Sequence, residues 1–230
     1  MYDRAMQIFL DTASIPEIIR WKKQHVIDGV TTNPSILYKA GYHDLKNAAQ
    51  ELAAVIPDMP LSVEVTTDDP DEMVEQGREC AGWARNIVVK IPVLNSEGEP
   101  CFAAMHALRS EGIAVNATAI LSFGQAILAA KAGATYVSIF AGRIADEGND
   151  PAPAIEAVRR WLDLWKNEAK IIVGSVRGAF DVQRAAMTGA HVVTAPPALL
   201  AKFAYHNYSK ATAAEFLENA RRSAELEAVR

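Results

Sequence analysis

The stretch Asn86–Pro92, NIVVKIP, decides the fold because it joins the pattern of a buried strand to a residue that such a strand rarely contains. Four of its residues are β-branched and apolar, which is typical of strands. Lys90 interrupts the run, and an ammonium group removed from water is costly unless it is paired or gives up its proton. Lys90 is therefore a snorkelling surface residue, a member of an ion pair, or a functional amine.

Similar β-branched runs recur along the chain, and each is followed by a segment with helical spacing. The eight predicted strands are Gln7–Asp11, Gly29–Asn33, Leu61–Thr66, Asn86–Ile91, Ile113–Thr118, Thr135–Phe140, Lys170–Ser175 and His191–Thr194. Eight such repeats close a parallel barrel, and no Ser/Gly/Pro-rich linker divides the chain. We predict an α/β protein with a single (β/α)8 TIM barrel over residues 1–210 and an additional C-terminal helix over residues 211–230.

Caps and prolines indicate where these elements begin and end. Ser14 and Asp69 are predicted to be helix N-caps, each with an acid three residues later. Apolar residues between Ile155 and Trp165 form a one-face stripe, which predicts a helix packed on the outside of the barrel. Pro34 and Pro92 cannot donate to a central ladder, so the strands before them should end there.

The bulk composition excludes several classes of protein. A net charge of −5 disfavours a nucleic-acid or anionic-membrane surface, and we predict neither partner. The longest apolar segment, residues 113–130, is interrupted by polar residues, and the first residues carry no signal-peptide pattern. Cys80 and Cys101 fit a reducing cytoplasm, with both thiols in the core.

Polar side chains lie at or just after the carboxyl ends of seven predicted strands. These ends carry the active sites of such barrels. The candidate residues are Asp11, Asn33, Glu64, Lys90, Asn116, Thr118, Ser138, Arg143, Ser175 and Arg177. A single serine or threonine such as Ser175 or Thr118 could instead cap the following helix, but the recurrence on seven strands favours a common site.

Lys90 is the centre of this site. A structural ion pair with Asp11 or Glu64 would explain it, but a desolvated lysine is also the usual nucleophile for a Schiff base with a carbonyl substrate. Asp11, Glu64 and Thr118 are residue types that can carry the protons of such a reaction. A protonated imine withdraws electrons itself, so we predict no metal and no cofactor.

Three candidate phosphate ligands follow the sixth and seventh predicted strands: Arg143, Ser175 and Arg177. Their position predicts a phosphate pocket beside a helix N-terminus. The ordinary alternative is that the two arginines simply lie on the surface. The five histidines have no ligand spacing, and no glycine-rich nucleotide motif is present. His191 is predicted to be a core or rim residue, and the acidic run Asp146–Asp150 a solvated connection.

Two of these motifs resemble the short branch of the transaldolase family, which also contains fructose 6-phosphate aldolase. They are GVTTNPSIL at Gly29–Leu37, which resembles the family's first signature, and VVKIP around Lys90, and the likeness covers most of the chain. The resemblance implies that Lys90 attacks the C2 carbonyl of a ketose phosphate and that Asp11 acts on the C4 hydroxyl. It implies that Glu64 and Thr118 hold a water that shuttles protons. It also implies that the dihydroxyacetone part is bound by Asn33, Asn116 and Ser138, and that the phosphate is bound by Arg143, Ser175 and Arg177.

The resemblance also implies a homo-oligomer, a pentamer or decamer, in which a C-terminal helix packs on a neighbouring subunit. The family's aldolase has glutamine in place of Glu64 and tyrosine in place of Phe140. A phenylalanine cannot order a water by hydrogen bonding, so both residues favour transfer of the three-carbon unit over its release. We expect a transaldolase of carbohydrate metabolism, in the pentose phosphate pathway, that uses fructose 6-phosphate or sedoheptulose 7-phosphate.

Four alternatives remain at this stage. They are an aldolase that releases free dihydroxyacetone, a transaldolase for a related anionic ketose, a non-catalytic sugar-phosphate binding protein and a metal-dependent aldolase.

Overall fold

Eight parallel strands pair in chain order and close into a barrel, so the predicted (β/α)8 fold is confirmed. The computed structural model describes residues 6–228. The strands are β1 (Gln7–Asp11), β2 (Gly29–Thr31), β3 (Leu61–Glu64), β4 (Ile87–Pro92), β5 (Val115–Ile120), β6 (Tyr136–Phe140), β7 (Lys170–Gly174) and β8 (Val192–Ala195). All eight predicted strands are present, with ends that differ by up to two residues.

Helices alternate with the strands and cover the outside of the barrel. They are α1 (Ile15–Lys22), α2 (Pro34–Lys39), α3 (Leu45–Val55), α4 (Pro70–Trp83), α5 (Phe102–Ser110), α6 (Phe123–Lys131), α7 (Ala141–Asp146), α8 (Ala152–Leu164), α9 (Ala179–Met187), α10 (Pro197–Ala204) and α11 (Asn207–Ala228). No helix within residues 6–228 is long and apolar enough to cross a membrane.

The lower half of the barrel interior is a separate apolar cluster, which we call the floor. It consists of Phe9, Val88, Tyr136, Ile172 and Val192, all at most 8% exposed. The rings of Phe9 and Tyr136 meet edge to face with centroids 6.0 Å apart. A Cβ atom on Gly29 would lie 2.8 Å from the Phe9 ring, so glycine in β2 makes room for this side chain. The floor closes the amino-terminal end of the barrel.

The main core lies between the strands and the surrounding helices, as the helical stripe predicts for α8. Ile155, Val158 and Leu162 are buried there, and Trp161 packs against them. The prediction is wrong for Trp165, which is 66% exposed. Trp165 caps the carboxyl end of α8, where the chain turns away through Lys166 at φ 50°. Cys80 and Cys101 are both fully buried, as predicted.

β4 ends at Pro92, as this proline predicts, but the strand includes the proline and so extends one residue beyond the predicted end at Ile91. Pro92 pairs with Thr118 of β5, whereas pairing with β3 ends at Lys90. The amides of Val89 and Val93 face β5, so the imide nitrogen of Pro92 faces the side on which β3 has already ended. No ladder hydrogen bond is lost there, which explains why proline is tolerated.

Helix caps follow the sequence only in part. Asp69 accepts hydrogen bonds from the amides of Asp71 and Glu72, as predicted. Ser14 occupies the N-cap position of α1, but its side chain makes no capping bond. Thr118 and Ser175 are not caps, since Ser122 and Gly178 take those positions in α6 and α9.

The C-terminal helix α11 begins at Asn207, four residues before the predicted position, and none of its side chains is buried. Residues 229–230, which the prediction included, lie outside the described residues, as do residues 1–5 at the start of the predicted barrel domain.

Candidate active site

A cavity of about 850 Å³ opens at the carboxyl ends of the strands, above the floor. All eleven residues singled out in the sequence line it, although they come from seven strands and the segments that follow them. They are Asp11, Asn33, Glu64, Lys90, Asn116, Thr118, Ser138, Phe140, Arg143, Ser175 and Arg177. Adjacent strand ends meet at one rim in a parallel barrel, which is why residues distant in sequence converge here.

Lys90 lies near the centre of this cavity, and its side chain is only 6% exposed. β4 holds it between two polar neighbours, because Lys90 is in register with Glu64 of β3 and Asn116 of β5. Its Nζ donates a hydrogen bond to the carbonyl oxygen of Thr32 at 2.7 Å and lies 3.1 Å from Glu64 Oε2. The ion pair considered in the sequence analysis is therefore present, and it places a proton acceptor beside an amine that faces the cavity.

Asp11 is the last residue of β1, and hydrogen bonds link its carboxylate to Thr31 and, through Thr31, to Thr194. Its Oδ1 accepts a hydrogen bond from Thr31 Oγ1 at 2.7 Å. Burial raises the pKa of the Asp11 carboxyl, while the Thr31 hydrogen bond and the charge of Lys90 lower it, and the charge of Glu64 raises it. Asp11 therefore retains a proton to higher pH than an ordinary aspartate, which suits a group that both accepts and donates protons.

Asn116 is held in one orientation by a chain of buried side chains. Its Oδ1 accepts a hydrogen bond from Ser138 at 2.7 Å, and its Nδ2 donates to Ser62 Oγ at 3.1 Å. All three residues are at most 4% exposed. The chain fixes which end of the amide donates, so Asn116 can present a defined polar face to a bound molecule.

Thr118 is buried without a hydrogen-bond partner. Its side chain lines the cavity at 1% exposure, and its Oγ1 has no partner within the described chain. The next residue, Ala119, has φ 58°, and the register with β6 shifts at this point. A buried hydroxyl without a partner is costly, so Thr118 is suited to a polar group that enters the cavity.

Arg143, Ser175 and Arg177 line one side of the cavity mouth, as the predicted phosphate pocket requires. Just before α9, Asp181 Oδ2 accepts hydrogen bonds from the amides of Arg177 and Gly178 at 2.8 Å, so these two amides are already occupied. Arg143 and Arg177 supply the charged side chains on this side.

Arg177 also has an acidic partner. Its Nη2 lies 2.6 Å from Asp146, and both side chains are 57% exposed. This pair is weak in water and leaves the guanidinium able to exchange partners.

A glycine allows two backbone segments on this side of the cavity to approach each other closely. A Cβ atom on Gly142 would lie 1.7 Å from the carbonyl oxygen of Ser175, which is backbone and cannot move aside easily. Ser175 itself has φ 59°, a left-handed conformation. The close contact joins the segment after β6, which carries Arg143, to the segment after β7, which carries Ser175 and Arg177.

Three inward-facing residues were not predicted from the sequence: Thr31, Ser62 and Thr194. Thr31 and Thr194 line the cavity, and Ser62 lies below it against Asn116. Ser62 and Glu64 are two residues apart on β3, so the strand period places Ser62 on the same inward face. This two-residue period could have identified Ser62 from the sequence.

Within residues 6–228, no three His, Cys, Asp or Glu side chains converge in an arrangement suited to a metal ion. His191 lies just before β8, at the amino-terminal rim, as predicted. Its Nδ1 accepts a hydrogen bond from the amide of Ile171 at 2.9 Å. Residues 146–150 are exposed, which confirms a solvated connection.

Comparisons with known sequences point to one family. The sequence profile of the family described as transaldolase/fructose-6-phosphate aldolase matches residues 8–229. A probable transaldolase of Streptococcus equi subsp. zooepidemicus is 40% identical over 214 residues, which cover 93% of this chain and 97% of that protein. A protein of Listeria monocytogenes named probable transaldolase 2 is 42% identical over 201 residues, covering 87% and 89%.

Solved structures with little sequence similarity share the fold. The structure of 2,3-dimethylmalate lyase, a member of the PEP mutase/isocitrate lyase superfamily, superposes with a TM-score of 0.60 at 14% identity, over 96% of this chain and 84% of that chain. Thiamine phosphate pyrophosphorylase from Pyrococcus furiosus gives a TM-score of 0.58 at 11% identity, over 85% of this chain and 88% of that one. These likenesses concern the barrel alone.

Proposed function

The chain belongs to the transaldolase/fructose-6-phosphate aldolase family, and from this premise we propose that it is a class I transaldolase acting through a Schiff base on Lys90. It moves a dihydroxyacetone unit from fructose 6-phosphate or sedoheptulose 7-phosphate to an aldose phosphate, without a metal or a cofactor. The observation that carries the proposal is the Lys90 amine, whose side chain is only 6% exposed and which lies 3.1 Å from the Glu64 carboxylate.

The first stage joins the substrate to the enzyme. Lys90 Nζ attacks the C2 carbonyl of the ketose phosphate, and the resulting carbinolamine loses water to give a protonated imine. Glu64 is the nearest proton acceptor for the amine. Glu64 and the hydroxyl of Thr118 together hold the water that carries protons during this dehydration.

The second stage breaks the C3–C4 bond. Asp11 removes the proton of the C4 hydroxyl, the aldose phosphate leaves, and the bonding electron pair moves into the imine to give an enamine on Lys90. Transfer is the reverse sequence with a second aldehyde, to which Asp11 returns the proton. Electron withdrawal by the protonated imine replaces a metal ion in this scheme.

Substrate binding divides the cavity into two sides. Asn33, Asn116 and Ser138 bind the hydroxyls of the dihydroxyacetone part, supported by the fixed orientation of Asn116. Arg143, Ser175 and Arg177 bind the phosphate, and Arg177 gives up Asp146 when it does so. Asn33 also caps α2 by accepting a hydrogen bond from the Ile36 amide at 3.0 Å, which leaves its amide nitrogen for a substrate.

Phe140 favours transfer over release. It lines the cavity and has no hydroxyl with which to order a water molecule against the enamine. The enamine therefore persists until an aldehyde arrives. The exposed arginines would accept other anions as well, so a transaldolase for a related anionic ketose is the second candidate.

The proposal extends to assembly and location. We propose a cytoplasmic homo-oligomer, a pentamer or decamer by family resemblance. The apolar side chains exposed on α11, which include Phe216 and Leu226, would be covered by a neighbouring subunit.

Transfer and release can be measured in parallel. The enzyme is incubated with fructose 6-phosphate with and without erythrose 4-phosphate, and both products are followed by mass spectrometry. We expect sedoheptulose 7-phosphate with the acceptor and only slow release of dihydroxyacetone without it. Phe140→Tyr should raise that release, whereas Tyr38→Phe, at an exposed position, should not. Release by the wild type at the rate of transfer would identify an aldolase instead.

Two controls address the remaining alternatives. Lys90→Ala should lose all turnover, whereas a binding protein would keep its calorimetric affinity for the sugar phosphate in that variant. Activity that disappears with EDTA and returns with a divalent metal would favour a metal-dependent aldolase.

A further inference from the structure

A short chain of hydroxyl groups leads from β8 to the acid/base carboxylate. Thr31 Oγ1 lies 2.7 Å from Asp11 Oδ1 and 2.6 Å from Thr194 Oγ1. Thr31 and Thr194 are 3% and 6% exposed, so both hydroxyls are largely shielded from solvent. Thr194 has no direct contact with Asp11 and is linked to it only through Thr31.

When Asp11 is ionised, the hydrogen bonds in this chain of hydroxyl groups can run in only one direction. A carboxylate accepts hydrogen bonds and donates none, so the single hydrogen of Thr31 points to Asp11 Oδ1. Thr194 must then donate to the oxygen of Thr31 at 2.6 Å. A hydroxyl that accepts one hydrogen bond donates a stronger second one, because the bonds polarise each other.

The chain also distinguishes the two oxygens of Asp11. Oδ1 is occupied by Thr31, which leaves Oδ2 for the hydroxyl of a substrate. The carboxylate cannot rotate freely while Thr31 holds it, and Thr31 is held by Thr194 from the opposite neighbour of β1. The base is therefore fixed between β2 and β8 before any substrate binds.

We propose that Thr194 is a positioning residue for the aldol step, acting through Thr31 to orient Asp11 and to stabilise its ionised form. The inference rests on the proposed function, in which Asp11 accepts the C4 proton. The other charged groups that act on Asp11 are Lys90 of β4 and Glu64 of β3, and both remain in place when the threonines are changed.

The test compares Thr194→Val and Thr194→Ser with the wild type. Valine keeps the shape of threonine and removes the hydroxyl, whereas serine keeps the hydroxyl. With Thr194→Val, we expect the pH of half-maximal kcat/KM on the acid side to rise by about half a pH unit, because Asp11 is harder to ionise. The kcat should fall about threefold to tenfold at unchanged KM, and Thr194→Ser should restore both.

Thr31→Val removes the direct hydrogen bond to Asp11. It should raise the pH of half-maximal kcat/KM on the acid side further, by about one pH unit. The matched control is Thr188→Val, since Thr188 is also 6% exposed and its hydroxyl donates to Ala185 at 2.7 Å, outside the catalytic cavity. Its pH profile should match that of the wild type, even if its melting temperature falls. A merely structural role for Thr194 would likewise change the melting temperature without moving the pH profile.

Borohydride trapping separates this inference from the proposed function. Because Thr194 acts on cleavage and not on imine formation, Thr194→Val should still form the Lys90 adduct in full yield. A wild type without adduct and without transfer would overturn the proposed function. A wild type with both, alongside a Thr194→Val pH profile that superimposes on it, would overturn the role of Thr194 alone.

Discussion

The floor of the barrel and the polar layer above it belong to the same strands, yet they differ in every chemical respect. Moving two residues along a strand changes the inward-facing side chain from apolar to polar or glycine. The pairs are Phe9 and Asp11, Val88 and Lys90, Tyr136 and Ser138, Ile172 and Gly174, and Val192 and Thr194. One step of the strand period, about 7 Å, therefore separates a packed hydrocarbon layer from a layer of hydrogen-bonding groups.

This contrast indicates how the barrel separates stability from chemistry. The floor gains free energy by excluding water, whereas the upper layer keeps a lysine and two carboxylates out of bulk solvent at a cost. The cost is visible at Asp11, whose pKa is raised chiefly by burial. Changes in the floor should therefore affect unfolding, and changes one step higher should affect turnover.

Phe9→Ala tests the floor and has the largest expected effect. The ring is 1% exposed and meets Tyr136 edge to face, so its removal leaves a cavity above the amino-terminal end of the barrel. The free energy of unfolding should fall by about 3–5 kcal/mol, measured by urea denaturation. The control Phe180→Ala, at a residue 66% exposed, should cost less than about 1 kcal/mol. Equal costs for the two variants would remove the distinction between floor and surface.

Asp11→Asn tests the upper layer of the same strand. The amide cannot accept the substrate proton, so kcat should fall by about 10²–10⁴. The folded state should become more stable at pH 7, because burial raises the Asp11 pKa and so makes its ionisation unfavourable in the folded protein. The amide oxygen can still accept the Thr31 hydroxyl.

The matched control for this change is Asp58→Asn, whose side chain is 83% exposed and should change neither turnover nor melting temperature. A lower melting temperature for Asp11→Asn would contradict the view that this carboxylate is retained for chemistry at a cost in stability.

His191→Asn tests the amino-terminal rim through pH and has the smallest expected effect. Burial, with Arg159 nearby, lowers the pKa of His191 from 6.5 to about 4. Between these values the unfolded chain binds a proton that the folded protein does not, so the wild type loses stability as the pH falls. We expect His191 to lower the free energy of unfolding of the wild type by about 1–2 kcal/mol as the pH falls, and we expect no such loss in the asparagine variant.

The measurement is the difference in unfolding free energy between the two proteins at pH 7 and at pH 4.5. Turnover at pH 7 should be equal, because the rim lies at the opposite end from the cavity. A difference that stays constant with pH would remove His191 as a source of acid sensitivity.

The barrel was predictable because its signals are local and repeated eight times. Hydrophobic runs, caps and breaks recur along the chain, and errors such as the end of β4 do not change the topology. Pro92 could not be placed from sequence, because its tolerance depends on β3 ending two residues earlier in register. The exposure of Trp165 likewise depends on where α8 leaves the barrel.

The cavity was predictable as a set of residues but not as a network. Parallel strands bring their carboxyl ends together, so Asp11, Glu64 and Lys90 could be grouped from their positions alone. The contacts of Thr31 and Thr194, which are 163 residues apart, depend on which side chains turn inward and on closure of β8 against β1. The hydrogen bonds that Asp181 accepts from the two amides just before α9 also needed coordinates.

The most direct test of the central claim is the site of covalent attachment. Wild-type enzyme is reduced with borohydride in the presence of fructose 6-phosphate, digested and sequenced by mass spectrometry, beside a Lys90→Met variant. A stable sugar adduct on Lys90, formed by reduction of the imine and absent from the variant, is the predicted result. An adduct on another lysine, or full transfer activity without any adduct, would contradict the account.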